Sequence, residues 1–164
     1  MRKQSTEGNP VLIRPASAEE AEAIVTLIHR AFAQYRGRLR PESGALSESA
    51  QTIRSATTTG VILIATHLDR IVGCVSVQRK ADFAYAGRLS VDPSARGLGI
   101  GRRLMAQAES HARGMEAGRL RIDVRLALTE NRAFFRALGF VEGSHRCHPG
   151  FASPTYVELE KILI

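Results

Sequence analysis

The sequence predicts an α/β chain with one mixed sheet, and three observations carry that prediction. Short apolar or alternating runs recur between amphipathic stretches in the order β-α-α-β-β-β-α-β-α-β-β. Antiparallel strands come first, and one β-α-β crossover follows in the second half, which makes the sheet mixed. At 164 residues the chain suits one domain, expected over residues 10–164, behind a flexible polar lead-in over residues 1–9.

Residues 11–13 are a short apolar run closed by Arg14 and Pro15, which reads as the first strand. Ser17 opens a helix, because Ser17 and Glu20 have the spacing of a capping box that satisfies unpaired N-terminal amides. Ile24, Leu27, Ile28 and Ala31 follow at i, i+3, i+4 and i+7 as one buried stripe, so the helix should reach about Tyr35. Gly, Pro and Ser between residues 36 and 44 mark a loop, and a weaker helix covers residues 46–58. Residues 61–66 and 71–77 are strands about a turn at 67–70. A fourth strand starts near Phe83 and ends at Val91. Period two puts Phe83, Tyr85, Gly87, Leu89 and Val91 on one face and Asp82 on the other unless a bulge intervenes. Asp92, Pro93 and Ser94 turn the chain into a helix over residues 99–115. Leu120, Ile122 and Val124 alternate with Arg121, Asp123 and Arg125, which is strand period. Residues 131–138 form a short helix ended by Gly139, and residues 140–144 and 155–160 are the last strands.

Composition narrows the function classes. No run approaches the ~20 apolar residues of a membrane span, and the polar start lacks the apolar core of a secretory signal. A cytoplasmic location and no membrane partner are expected. Cys74 and Cys147 sit in no ligand pattern, so two half-buried thiols in a reducing compartment are expected, with no metal. The net charge of +7 rests on arginine, since Lys3, Lys80 and Lys161 are the only lysines. Scattered arginines without a basic block describe a solvated surface that steers a phosphate-rich small molecule. A nucleic-acid partner ranks last, because no aromatics interleave with basic runs.

The chemistry lies in LSVDPSARGLGIGRRL, from Leu89 to Leu104. A strand ends, a proline turn follows, and Arg96 to Gly101 leads into an amphipathic helix. Glycines at 97, 99 and 101 remove Cβ atoms where backbone amides must approach a ligand. Those amides and the positive end of the helix dipole make an anion site suited to a diphosphate, and Arg96 and Arg102 add charge. A plain helix start needs less permissive backbone than this. A dinucleotide turn of the form G-x-G-x-x-G needs glycine where Arg102 stands, although Asp123 lies where a ribose-binding acid would sit.

The run Arg96-x-x-Gly99-x-Gly101 behind Leu89, Ser90 and Val91 resembles the coenzyme-binding motif of the GNAT superfamily of N-acetyltransferases. NRAFFRALGF, from Asn131 to Phe140, is similar to that family's second motif, a short helix closing on Gly-Phe. With the element order, the resemblance extends from Val11 to Glu160. It implies a GNAT-like acyl-CoA N-acyltransferase fold and transfer of acetyl from acetyl-CoA, the co-substrate, to a primary amine by direct attack in a ternary complex. The diphosphate is then expected on the amides of Leu98, Gly99, Ile100 and Gly101, behind Arg96 and Gly97. The pantetheine arm is expected to pair like an extra strand with Leu89 and Val91, whose strand offers an N–H to the thioester oxygen. Asn131 is expected to contact the arm. The acceptor is a small-molecule or peptide amine, and a homodimer fits families of this kind.

The family often has a tyrosine four residues before its Gly-Phe pair, placed to protonate the leaving thiolate; here Phe135 stands there, with core packing as its expected role. Tyr85 is the candidate site hydroxyl, against a purely structural tyrosine. His148, between the last two strands, is the candidate proton relay, against a solvated loop histidine. The loop over residues 35–46, with Glu42 and Ser43, is expected to wall the acceptor pocket. Phe135 also keeps a second function open, an acyl-CoA-binding or sensing domain with impaired catalysis.

Overall fold

Seven strands join one sheet in the order β1-β2-β3-β4-β5-β7-β6 in the computed structural model, which describes residues 9–164. The lead-in expected over residues 1–9 lies, but for Asn9, outside the described residues. In chain order the elements are β1 (Leu12–Pro15), α1 (Ala21–Phe32), α2 (Ala50–Thr59), β2 (Gly60–His67), β3 (Arg70–Arg79), β4 (Ala84–Val91), α3 (Ile100–Gly114), β5 (Arg119–Arg125), α4 (Thr129–Ala137), β6 (Val141–Arg146) and β7 (Tyr156–Ile162). The predicted sequence of strands and helices therefore holds. All neighbours are antiparallel except β4 and β5, which α3 joins as the one parallel crossover.

The helix ends depart from expectation for local reasons. The first helix spans only Ala21–Phe32, flanked by 3-10 turns at Ala18–Glu20 and Ala33–Tyr35. The Ser17 backbone N–H reaches Glu20 Oε1 at 3.0 Å, and both carboxylate oxygens accept Arg14 at 2.8 Å. Those bonds hold the Glu20 carboxyl far below its ordinary range, at about 2, with the Arg14 bonds as the chief cause. The second helix starts four residues later than expected, because the Ser49 hydroxyl caps it by accepting the Thr52 N–H at 3.2 Å.

The sheet is covered on both faces. Ile24, Leu27 and Ile28 of α1 and Ile53 of α2 bury one face against Ile62, Ile64 and Cys74. Leu104, Met105 and Ala108 of α3 bury the other against Val75, Val77, Leu120 and Ile122, and Phe135 and Phe140 extend that core. The stripe Ile24, Leu27, Ile28 and Ala31 is buried as its spacing requires. The two thiols differ from the half-buried pair expected. Cys74 is enclosed in the sheet core, which pushes its pKa up to about 12, while Cys147 is exposed in the β6–β7 loop. No described helix is long and apolar enough to cross a membrane.

Candidate active site

Two clefts meet where β4 and β5 part. The parallel pair is hydrogen-bonded in register only at Ala84–Leu120 and Tyr85–Arg121. Beyond Tyr85 the β5-facing side of β4 has no ladder partner among the described residues, so its peptide groups are open to an extended ligand.

The same strand carries a bulge. Its register with β3 slips between Cys74–Ser90 and Ser76–Gly87, and Arg88 takes φ 53°. Unbroken alternation, expected to keep Tyr85, Gly87, Leu89 and Val91 on one face, therefore fails at Arg88. Leu89 and Val91 pack with Ala84 and Ala86 in the α3 core. Tyr85 and Gly87 lie on the opposite side beside Ser76.

The first cleft, about 550 Å³, is lined by Leu89, Val91, Arg96, Gly97, Gly99, Ile100, Gly101 and Asn131, all expected from the sequence. Leu98 lies in the same loop with its side chain in solvent. Asp92 sets the loop. It is buried, it accepts the Ser94 N–H at 3.0 Å and hydroxyl at 2.7 Å, and it pairs with Arg30 at 3.3 Å. The Ser94 bonds above all hold its carboxyl below the ordinary range. Arg96 donates to the Ala31 carbonyl at 3.0 Å and so ties the loop to the end of α1.

Gly97 and Gly99 have φ 81° and 75°, the left-handed region that glycine enters without a Cβ penalty. A Cβ built on either would project into open space over the loop. The N–H groups of Leu98 to Arg102 have no hydrogen-bonded acceptor among the described residues, and the first bond of α3 runs from Arg103 N–H to the Gly99 carbonyl at 3.1 Å. A shallow cradle of free donors at the positive end of a fifteen-residue helix fits a diphosphate.

The second cleft, about 520 Å³, holds both candidate catalytic residues, Tyr85 and His148, with Glu42 and Ser43 from the loop expected to wall it. It shares Phe32, Leu89, Asn131 and Phe135 with the first, so those four residues form the common wall. The Tyr85 phenol donates to Asp123 Oδ2 at 3.3 Å. Burial first, and Asp123 second, push its pKa far up, so the hydroxyl is a donor at neutral pH. The Asp123 carboxyl is itself raised, by burial and then by Glu158, which lies directly across the β5–β7 ladder.

His148 is held by Thr155, whose Oγ1 accepts the His148 backbone N–H at 3.0 Å and also contacts the ring Nδ1. Its ring meets Tyr156 edge-on with centroids 4.9 Å apart. Burial, then Arg125, lowers its pKa, so the imidazole is neutral at pH 7. Phe135 is buried and packs edge-on against Phe134 and Phe140 at 5.0 and 5.8 Å. Asn131 Nδ2 lies 3.5 Å from the Tyr35 hydroxyl.

Sequence reasoning missed the charged pair Asp123 and Arg125 on this wall. Their alternation with buried Ile122 and Val124 was visible but fits a solvated face equally well. Only the parting of β4 from β5 turns that face into a cleft.

A family profile described as "Acetyltransferase (GNAT) domain" matches residues 58–142. None of the curated proteins compared matches the chain in sequence. Solved structures share the fold. The PaiA N-acetyltransferase of Thermoplasma acidophilum, solved with coenzyme A, superposes with TM-score 0.78 at 19% identity, covering 93% of this chain and 99% of that one. The ribosomal-protein-alanine N-acetyltransferase of Escherichia coli gives 0.76 at 18% identity, with 94% of each chain covered. A GNAT acetyltransferase of Streptococcus pneumoniae gives 0.73 at 16%, covering 94% and 99%.

Proposed function

Because the chain belongs to the GNAT acetyltransferase family and is an N-acetyltransferase, we propose that it moves acetyl from acetyl-CoA to a primary amine by direct attack while both are held. One observation carries this reading: the cradle of free N–H groups from Leu98 to Arg102 opens along the unpaired edge of β4 into a second, polar cleft. Gly97 and Gly99 keep that cradle free of side chains, and Arg102 lines it with positive charge. The open edge at Leu89 and Val91 suits an extended pantetheine arm, and Asn131 stands beside that path in the common wall. The coenzyme supplies a thioester, an acetyl group ready for attack by an amine.

The chain's own residues then hold the acceptor and handle its proton. Tyr85, protonated at neutral pH, acts as a hydrogen-bond donor within the acceptor cleft. His148, neutral at pH 7, is able to accept a proton from the attacking amine. No side chain needs to bond covalently to the acyl group, since positioning alone supplies much of the rate. Phe135 offers no proton, so the departing thiolate, with a thiol pKa near ~8.5, leaves without help from that position.

Calorimetry with acetyl-CoA, followed by a panel of amines read by free thiol release, tests the proposal. Saturable binding with thiol released only in the presence of an amine is expected. No binding at tens of micromolar would sink the reading. Tight binding without thiol release from any amine would favour the sensing domain that the Phe135 ring suggests.

A further inference from the structure

Of the charged groups lining the acceptor cleft, Asp123 and Arg125 form no ion pair among the described residues; nor does Glu42, whose Oε1 is taken by the Gly37 N–H at 2.7 Å. Asp123 takes part in no ion pair among the described residues; its side-chain partner is the Tyr85 phenol at 3.3 Å. Arg125 takes part in none either, and donates instead to the backbone carbonyl of Glu42 at 3.1 Å. The arginines around them are neutralised. Arg119 and Arg121 pair with Glu160, Arg146 pairs with Glu158 at 3.0 Å, and Arg88 pairs with Glu48 at 2.8 Å.

Asp123 and Arg125 point to the same side of β5, because the buried Ile122 and Val124 alternate with them, and both line the cleft. Two residues along a strand separate their Cα atoms by about 7 Å. Arg125 is half-buried and Asp123 stands more open, and a charge drawn from water without a close counter-charge gains from a ligand that supplies one. Both groups bear the mark of that withdrawal: burial lowers the pKa of Arg125 and raises that of Asp123.

We propose that the acceptor is a free amino acid, its ammonium held by Asp123 beside Tyr85 and its carboxylate held by Arg125. The inference rests on the transferase reading and names the acceptor for it. One small zwitterion satisfies both orphan charges across this spacing. A guanidinium is a fork of donors matched to a carboxylate, and the bond is charge-assisted. A polyamine brings no anion for Arg125, and the amine end of a peptide carries its carboxylate elsewhere. Asp123, beside the phenol, keeps the amine on the β4 side of the cleft.

Matched sets of acceptor test this: an amino acid, its carboxamide and its decarboxylated amine, with thiol release expressed per free amine. The acid is expected to exceed its amide in kcat/KM by about ten- to hundredfold, the worth of one charge-assisted contact. Arg125→Gln is expected to erase that preference and Arg125→Lys to keep part of it, with acetyl-CoA affinity unchanged in both. Equal or better use of the amide by the unaltered protein would overturn the inference, and so would a preference that survives Arg125→Gln. Turnover of carboxylate-free amines alone would overturn it while leaving the transferase reading intact. Failure of acetyl-CoA to bind would remove both.

Discussion

Along the wall formed by residues 96–102 the groups offered to a ligand are peptide N–H groups, whereas the wall formed by Tyr85, Asp123 and Arg125 offers side chains. The first wall needs glycine for its shape and asks little else of composition, because every residue but proline carries the same donor. The second wall draws its chemistry from the identity of three residues on two strands. A carrier shared by many reactions suits the first kind of wall. An acceptor that must be told from its neighbours suits the second.

The largest expected effect comes from loosening the helix on which the first wall stands. Leu104 is fully buried and packs under Gly73, where an added Cβ would come within 2.9 Å of it. Leu104→Ala should lower stability by roughly 3 kcal/mol, read by urea unfolding. A loss under about 1 kcal/mol would mean that α3 is not packed as described.

Next comes the cradle itself. Gly99→Val should weaken acetyl-CoA binding on the order of a hundredfold, since a branched side chain in the left-handed region shifts the backbone and fills the open space above it. The fold should survive, and the KM of the amine should hardly move. Unchanged coenzyme affinity in a folded Gly99→Val would refute the backbone wall.

Tyr85→Phe should do the reverse. It removes the hydroxyl that bonds Asp123, so kcat/KM for the amine should fall about tenfold with coenzyme affinity untouched. Equal loss at both ligands would erase the division between the walls.

The smallest effect lies away from both walls, at Glu20. Its carboxyl titrates below the unfolded-state value near ~4.3, so it stabilises the fold above that pH, and the contribution fades as pH falls toward about 2. Arg14 is half exposed, so solvent screening leaves about 1 kcal/mol of the nominal effect. Glu20→Gln should show that deficit at pH 7, shrinking between pH ~4.5 and ~2, with both KM values unchanged. A deficit constant across that range would show the ion pair to be idle.

These differences track what was legible beforehand. The backbone wall is contiguous in sequence, so three alternate glycines behind an arginine announced it before any fold was known. The strands and helices were equally readable, because apolar period sets them locally. The helix ends moved where capping by Ser49, or the bonds on Glu20, outweighed propensity. The bulge left no mark in the sequence, since Arg88 is a residue that rarely takes positive φ and nothing about its type marks it. Asp92 read as a turn residue, although it anchors the loop from beneath. Asp123 and Arg125 carried the correct alternation, yet only strand separation decides whether such a face meets bulk water or a cavity.

Arg88 also shows what a single extra residue does to a strand. Strand halves on either side of it are out of step by one residue, so excising that residue would bring them into phase. Gly87 would then precede Leu89 directly, so Leu89 and Val91 would stay beneath α3 and Ser90 on the side where Tyr85 stands, opposite the same residues of β3. What the position supplies is therefore a local bend of β4, and the assignment of its side chains to the two faces does not depend on it.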